Sequence, residues 1–119
     1  MKQYTTPEQT AKLIELGLPN PKSVTDISWQ EYERDNPIIN ANTIEYTRAY
    51  SIGELIEMQP LTLGVHYDLH IEFLGTKWYV AYYWIGNDGE YYTKYEFSAR
   101  ELIDALYDMI IKLKEEGVI

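Results

Sequence analysis

The pattern whose residue types best suit chemistry is His66-x-Asp68-x-His70-x-Glu72. Imidazole and carboxylate groups are common metal ligands, and residues two apart on a β-strand lie about 6.6 Å apart on the same side, close enough to share an ion. His66 and His70, about 13 Å apart, are too distant, so a three-ligand site would need a neighbouring strand, which offers tyrosine and alanine. The pattern therefore favours the solvated side of an outer strand, and we predict neither a metal nor another cofactor.

A second arrangement is the predicted row of His70, Ala81 and Glu96 across three neighbouring strands. The small Ala81 would leave a dent between a candidate base and a candidate acid, the placement that general acid–base catalysis requires. Two strand spacings separate the outer members of the row by about 10 Å, which is too far for a direct acid–base pair. We therefore assign no catalytic residue and keep this row as a candidate for a shallow binding dent.

The element that must position these residues is KWYVAYYWI, residues 77–85, which is predicted to be the middle strand of an antiparallel sheet. Asp88-Gly89 indicates a two-residue hairpin turn after it, in which both turn residues take positive φ. Gly75-Thr76 indicates another turn before it. The two turns set the register. The predicted opposed pairs are Phe73 with Trp78, Ile71 with Val80, Leu69 with Tyr82, Tyr67 with Trp84, Val80 with Phe97, Ala81 with Glu96, Tyr82 with Tyr95, Tyr83 with Lys94 and Trp84 with Thr93.

Directly opposed residues share one side of a sheet and neighbours alternate, so the register assigns each side chain to a face. The core face collects Tyr67, Leu69, Ile71, Phe73, Trp78, Val80, Tyr82, Trp84, Thr93, Tyr95 and Phe97. The other face collects His66, Asp68, His70, Glu72, Tyr79, Ala81, Tyr83, Ile85, Tyr92, Lys94 and Glu96. This second face has an aromatic strip rimmed by polar groups, which is typical of an interface. Its candidate ligand- or partner-binding residues are Asp68, His70, Tyr79, Tyr83, Ile85 and Tyr92.

Helix-start signals occur three times in the chain. Thr6-Pro7-Glu8-Gln9 and Ser51-Ile52-Gly53-Glu54 each begin a short helix. Ser98-Ala99-Arg100-Glu101 begins a long carboxy-terminal helix that ends near Gly117 and carries an apolar stripe. The three helices are expected to cover the core face of the sheet.

The predicted fold is α+β, with a single domain over residues 1–119. Its sheet is an antiparallel three-stranded meander packed on one face by the long helix and the two short ones. Residues 26–50 either add two strands, which we favour, or contain a helical turn at Ser28-Trp29-Gln30-Glu31. If any part of the chain covers the aromatic strip, it is the segment from Lys22 to Tyr50, and the sequence does not place it.

Composition and charge limit the classes of function that are open to this chain. The chain has no cysteine, which excludes disulfides, thiolate zinc sites and cysteine nucleophiles. Its 19 acidic and 10 basic residues give a net charge of -9, so neither direct nucleic-acid binding nor membrane binding is expected. The amino-terminal residues lack the apolar run of a signal peptide and no segment reaches transmembrane length, so we expect a cytoplasmic protein.

Three segments carry a resemblance to known proteins. They are Thr6-Pro7-Glu8-Gln9 with Lys12–Gly17, then Tyr50–Met58, and finally Glu101–Leu113. In these segments the sequence resembles a group of small uncharacterised proteins encoded by phages and mobile elements of gut bacteria. The matching residues are mostly core and capping residues, so the resemblance implies a shared fold and an accessory gene of a mobile element. It implies no functional residues.

The leading functional hypothesis is a non-enzymatic interaction protein. It would bind a protein partner, or a second copy of itself, through the aromatic sheet face or the acidic helix surface. One alternative is a small-ligand or carbohydrate-binding module on the aromatic face, and a further one is an acidic mimic of DNA that inhibits a nucleic-acid-binding enzyme. A hydrolase or metal enzyme would have only the strand pattern described first.

Overall fold

The computed structural model describes residues 1–24 and 48–119. Within them, the chain forms three helices and a four-stranded antiparallel sheet of order β3-β4-β5-β6, together with a separate two-stranded sheet of β1 and β2. The helices are α1 (Pro7–Glu15), α2 (Ile52–Glu57) and α3 (Leu102–Glu115), and the strands are β1 (Ser23–Val24), β2 (Arg48–Ala49), β3 (Thr62–Leu63), β4 (Tyr67–Leu74), β5 (Lys77–Ile85) and β6 (Tyr91–Ala99).

The predicted α+β class and the three-stranded meander are confirmed, and β3 adds a short fourth strand to the meander. Helix α3 packs against β5 and β6, and α2 packs against α3. We call the side of the sheet that α3 covers the helix face, and the opposite side the outer face. The two strands or helical turn predicted within residues 26–50 lie outside the described residues, apart from β2.

Two of the three predicted helix starts form as expected. Thr6 and Gln9 cap α1 reciprocally at 2.9 and 3.1 Å, and Ser51 and Glu54 do the same for α2. The third start is wrong, because β6 continues to Ala99 and α3 begins only at Leu102. Ladder pairing with β5 takes Ser98 and Ala99 into the strand, and Glu101 becomes the residue before the helix.

The core lies between the helix face and the three helices. Tyr82 is fully buried at the centre of β5, and its hydroxyl donates a 2.7 Å hydrogen bond to the carbonyl of Pro60. Helices α1 and α2 contribute Leu13 and Leu55 to the same cluster. From β5 and α3 come Val80, Tyr82, Leu102, Ile103, Ala105, Leu106, Met109, Ile110 and Leu113. The predicted inward direction of Val80 and Tyr82 is therefore confirmed.

We expect Tyr82 to make the protein less stable in alkali. Burial raises its pKa from 10.0 to about 12. Because the folded pKa exceeds the unfolded one, this contribution is fully present below pH 10 and is lost as the pH rises to about 12, with a slope of at most about 1.4 kcal/mol per pH unit. Urea unfolding from pH 9 to 12 measures the slope, and Tyr82→Phe should lessen it. Equal slopes for both proteins would contradict this account.

The β4–β5 hairpin has the predicted register. Leu74 pairs with Lys77 around the two-residue turn Gly75-Thr76, and Gly75 has a φ of +67°, which suits glycine at this turn position. The ladder ends at Asp68 with Tyr83, so it does not include the predicted pair of Tyr67 with Trp84. The remaining predicted pairs are confirmed: Phe73 with Trp78, Ile71 with Val80 and Leu69 with Tyr82.

The β5–β6 hairpin differs from the prediction near its turn. The amide of Gly86 donates to the carbonyl of Glu90 at 2.8 Å, so a three-residue loop, Asn87-Asp88-Gly89, replaces the predicted two-residue turn. A two-residue turn would need positive φ at both Asp88 and Gly89, whereas only Gly89 has it, at +79°. The loop therefore shifts the first part of β6 by one residue.

A β-bulge in β6 then restores the predicted register. Tyr83 pairs with Thr93 but Tyr82 pairs with Tyr95, so Lys94 is the extra residue of the bulge. Beyond the bulge, the predicted pairs of Ala81 with Glu96 and Val80 with Phe97 are confirmed. The one-residue shift at the loop and the opposite shift at the bulge cancel, so the predicted register holds in β6 from Tyr95 onward.

Between the loop and the bulge, the two faces of β6 are exchanged relative to the prediction. Tyr91 and Thr93 lie on the outer face. Tyr92 lies on the helix face, where its ring stacks on Trp84 with centroids 4.9 Å apart. The ammonium of Lys94 also turns to this side, 5.8 Å from the ring centroid of Tyr67. The predicted outer-face positions of Tyr92 and Lys94, and the predicted core-face position of Thr93, are therefore wrong.

Side chains around the loop explain why it takes this form. The Tyr92 hydroxyl donates a 2.7 Å hydrogen bond to Asp88, and this bond lowers the pKa of the Asp88 carboxyl and raises that of Tyr92. The ring of Tyr92 also lies directly over Gly86, where an added Cβ would come within 2.7 Å of it. Glycine at position 86 thus allows Tyr92 to close over the loop and stack on Trp84.

Candidate binding site on the outer face of the sheet

Ala81 forms the floor of a depression on the outer face. It pairs with His70 on β4 and with Glu96 on β6, the row predicted from the sequence. Its neighbours along β5 on the same side are the much larger Tyr79 and Tyr83, because side chains alternate along a strand. The depression has a volume of about 570 Å³ and is lined by His70, Glu72, Leu74, Tyr79, Ala81, Tyr83, Tyr91, Thr93 and Glu96.

The predicted site residues fall into three groups. His70, Tyr79 and Tyr83 line the depression together. Asp68 and Ile85 border an adjacent concavity of about 420 Å³, which His70 and Tyr83 share. Tyr92, the sixth candidate, stacks on Trp84 on the helix face and is not part of either concavity.

The sequence prediction missed the contribution of β6 next to the loop. Tyr91 and Thr93 line the depression, although Thr93 was expected in the core and Tyr91 was assigned no role. The signal that identifies them is the order Gly86-Asn87-Asp88-Gly89, which also fits a three-residue loop with glycine at its last position. That loop puts Tyr91 opposite Ile85 on the outer face.

A chain of polar contacts holds one wall of the depression. His70 Nε2 lies 3.0 Å from Glu72 Oε2, and His70 Nδ1 lies 3.4 Å from the Tyr83 hydroxyl. In the imidazole tautomer with its proton on Nε2, histidine donates to the carboxylate and accepts from the phenol. The rings of His70 and Tyr83 also meet edge to face, with centroids 4.7 Å apart. These contacts orient the rings of His70 and Tyr83 relative to each other.

Catalysis is a poor fit to this arrangement. His70 is engaged on both ring nitrogens, by Glu72 and by Tyr83. Glu96 lies two strand spacings from His70, about 10 Å across the sheet, so the two do not form a direct acid–base pair. The row does not place an acid and a base on the same bond.

Tyr91 and Ile85 on the outer face are exposed, whereas Tyr79 and Tyr83 are partly buried. Tyr91 is 68% exposed and Ile85 is 55% exposed, whereas Ala81 at the floor is 6% exposed. Tyr83 and Tyr91 lie side by side with ring centroids 5.7 Å apart. Within the described residues, neither Tyr79, Tyr83 nor Tyr91 belongs to the core cluster or packs against it. These rings are therefore not needed to close the core.

The charge of the depression is negative. Glu72 and Glu96 contribute carboxylates to its lining, and no lysine or arginine is among the described residues that line it. Lys94 would be the nearest cation by sequence, but the bulge directs its ammonium across the helix face, 5.8 Å from the ring of Tyr67 and 6.0 Å from that of Tyr95. The bulge therefore removes a positive charge from the outer face.

The side chains of the His66-x-Asp68-x-His70-x-Glu72 pattern do not converge on one point. The ring of His66 stacks on Trp84 with centroids 4.8 Å apart, and so joins Tyr92 in a stack around that tryptophan. In residues 1–24 and 48–119, no three His, Cys, Asp or Glu side chains are close enough to hold an ion. Over the same ranges, no helix has both the length and the apolar character to cross a membrane.

Comparisons with known proteins give no further guidance. A scan against protein-family models, a search of curated proteins and a search of solved structures each found no match to this chain. The geometry and charge of the outer face are therefore the basis for assigning a function.

Proposed function

We propose that this chain is a non-enzymatic binding protein that takes a protein partner on the outer face of its sheet. The observation that carries the proposal is the depression above Ala81, whose tyrosine walls stand outside the core cluster. A fold does not need three tyrosines on the side of a sheet that faces away from its core. Binding is the role we propose for these tyrosines, because they lie outside the core cluster.

The anatomy of this surface is that of a small interface. Tyrosine is enriched among the residues that dominate binding energy, because it offers a large, rigid area with a polar end. Tyr79, Tyr83 and Tyr91 stand around a recess, and carboxylates and an imidazole surround them. Apolar contact area inside a polar rim is the arrangement found in protein interfaces. The contacts of His70 with Tyr83 and Glu72 lower the entropy cost of binding by fixing the wall in advance.

Filling the depression tests the proposal. In Ala81→Leu the larger side chain occupies the recess, so peptides selected on the wild-type protein from a random display library should bind the variant at least about ten-fold more weakly. Calorimetry with the selected peptides measures the change. The matched control is Ala11→Leu, the same substitution at an exposed position of α1, which should leave affinity unchanged.

Two results would contradict the proposal. One is a selection that enriches no peptide above the bare support. The other is a set of peptides that bind Ala81→Leu as tightly as they bind wild type. Thermal unfolding of both variants distinguishes a loss of affinity from a loss of fold. Ala81 lies outside the core cluster, so we expect the folded fraction of Ala81→Leu to stay near that of wild type.

A small-ligand or carbohydrate-binding module is the second candidate. The depression, at about 570 Å³, falls in the range of about 300 to 1,000 Å³ that is usual for ligand sites, and sugars stack on aromatic rings while their hydroxyls bond to groups such as His70 and Glu96. A thermal-shift screen with mono- and oligosaccharides separates the two candidates. A stabilisation by one sugar that disappears in Ala81→Leu would favour this second function.

The setting we propose follows from the resemblance to small proteins of phages and mobile elements. In that setting the protein is an accessory factor in the bacterial cytoplasm, and its partner is a protein of the host. A second copy of the chain is the other partner to consider. Light scattering on the purified protein distinguishes them, because a homodimer that uses the outer face should become monomeric in Ala81→Leu.

A further inference from the structure

We infer that the depression above Ala81 accepts the charged end of a lysine or arginine side chain from a basic segment of the partner. This inference rests on the proposed function and specifies the chemistry of that same surface. Three independent features support it: the ring geometry, the carboxylates and the direction of Lys94. Each is a property of described residues.

The rings supply the first feature. A cation within about 6 Å of an aromatic centroid is attracted by the ring's quadrupole, and several rings around one recess add their effects. Tyr83 and Tyr91 pack on each other with centroids 5.7 Å apart, so a cation that lies against this pair can be within about 6 Å of both centroids. Tyr79 stands on the other side of Ala81 along β5. The small floor residue leaves the depth that a side-chain end needs.

Carboxylates supply the second feature. Glu72 on β4 and Glu96 on β6 line the depression from opposite strands, with Ala81 on the strand between them. Glu72 accepts from His70, which leaves its second oxygen available. Glu96 has neither an ion pair nor a side-chain hydrogen bond within the described residues. A carboxylate beside aromatic rings with no cation of its own favours a charged donor from outside.

The direction of Lys94 is the third feature. A lysine two residues from Glu96 would ordinarily neutralise that side of the sheet, but the bulge sends it to the helix face, over Tyr67 and Tyr95. Lys77 lies on the outer face opposite Leu74, at one end of the sheet, but the described lining of the depression keeps its negative charge, on a chain of net charge -9. Such a surface attracts basic segments over long range and disfavours acidic ones. The charge complementarity identifies the occupant as a cationic side chain.

The experiment uses peptides selected on the full-length protein and their uncharged analogues. Norleucine keeps the stem of lysine without its charge, and citrulline does the same for arginine. We expect the analogues to bind wild type about ten-fold more weakly than the parent peptides, since both lose the positive charge that the carboxylates and rings attract. In Glu96→Gln the parent should weaken by a similar factor, and the analogue should lose little more, because the two changes remove one interaction.

Two further variants refine the experiment. Glu15→Gln on α1 is the matched control, since it removes one negative charge from an exposed position and should leave affinity nearly unchanged. Tyr91→Leu keeps apolar area at the depression but removes a ring, and should weaken the charged peptide by about two- to five-fold while leaving the analogue unaffected.

The outcomes separate this inference from the proposed function. Peptides that lose affinity in Ala81→Leu but tolerate norleucine or citrulline would overturn the cation inference and leave the outer-face function standing. Peptides that need their charge but ignore Glu96→Gln would place the cation elsewhere, which also overturns the inference. Peptides that ignore Ala81→Leu would overturn the proposed function itself.

Discussion

Replacing Tyr82 with alanine is expected to lower the free energy of unfolding by about 3 to 5 kcal/mol, whereas the same replacement at the adjacent Tyr83 is expected to lower it by about 1 kcal/mol or less. The two residues have the same type and neighbour each other in one strand. Tyr82 is fully buried in the core cluster, and Tyr83 is on the outer face. Comparing the two substitutions therefore tests which face of the sheet each tyrosine side chain occupies.

The size of the Tyr82 effect has two sources. Removing a fully buried ring leaves a cavity beneath α3 and forfeits the transfer free energy of that ring. The carbonyl of Pro60 also loses its donor. Small domains are stable by about 5 to 15 kcal/mol, so this one substitution removes a large fraction of the total.

Chemical denaturation of both variants measures the difference. Tyr83→Ala loses contacts with His70 and Tyr91, which are partly solvated, so its denaturation midpoint should stay close to that of wild type. A large loss at Tyr83 together with a small loss at Tyr82 would mean that the faces are reversed. Equal losses would mean that both sides of the sheet are buried.

Deleting Glu96 is expected to cost about 2 to 4 kcal/mol, while deleting Lys94 is expected to change stability by about 1 kcal/mol or less. Without Lys94, Thr93 still pairs with Tyr83 and Tyr95 still pairs with Tyr82, so the bulge becomes a regular ladder. Both deletions shorten β6 by one residue and remove one charge. The difference in stability between the two deletion variants therefore reports the effect of changing the strand register.

Deletion of Glu96, in contrast, cannot be accommodated without changing which residues of β6 face the core. To keep Phe97 opposite Val80, the strand would have to place Lys94 opposite Tyr82 and Tyr95 opposite Ala81. A lysine would then face the core beneath α3, and a tyrosine that packs against the core would move to the outer face. Thermal denaturation of the two deletion variants measures the effect. Similar midpoints for both would contradict the bulge at Lys94.

Much of the fold follows from local patterns in the sequence. Gly75-Thr76 specifies a tight turn, so alternation along β4 and β5 assigns every side chain between them to the correct face. The row of His70, Ala81 and Glu96 follows from the same alternation, which is why the floor of the depression could be predicted. The buried stripe of α3 follows from helical periodicity.

The sequence prediction is wrong where two local backbone conformations are close in energy. Asp88-Gly89 favours a two-residue turn, but the hydrogen bond and stacking of Tyr92 stabilise a longer loop, and these are tertiary contacts that propensity does not encode. A bulge also leaves no clear mark in a sequence, since Lys94 suits either face of an edge strand. The candidate site was therefore half predicted: the β4 and β5 walls were found and the β6 wall was missed.

Nuclear magnetic resonance of the isotope-labelled protein, titrated with a peptide selected on it, tests the outer-face claim most directly. The account predicts that side-chain shifts concentrate on Tyr79, Ala81, Tyr83 and Tyr91 of β5 and β6, with those of α3 nearly unchanged. Shifts that concentrate on the exposed side of α3, or on Trp84 and Tyr92 across the sheet, would contradict it.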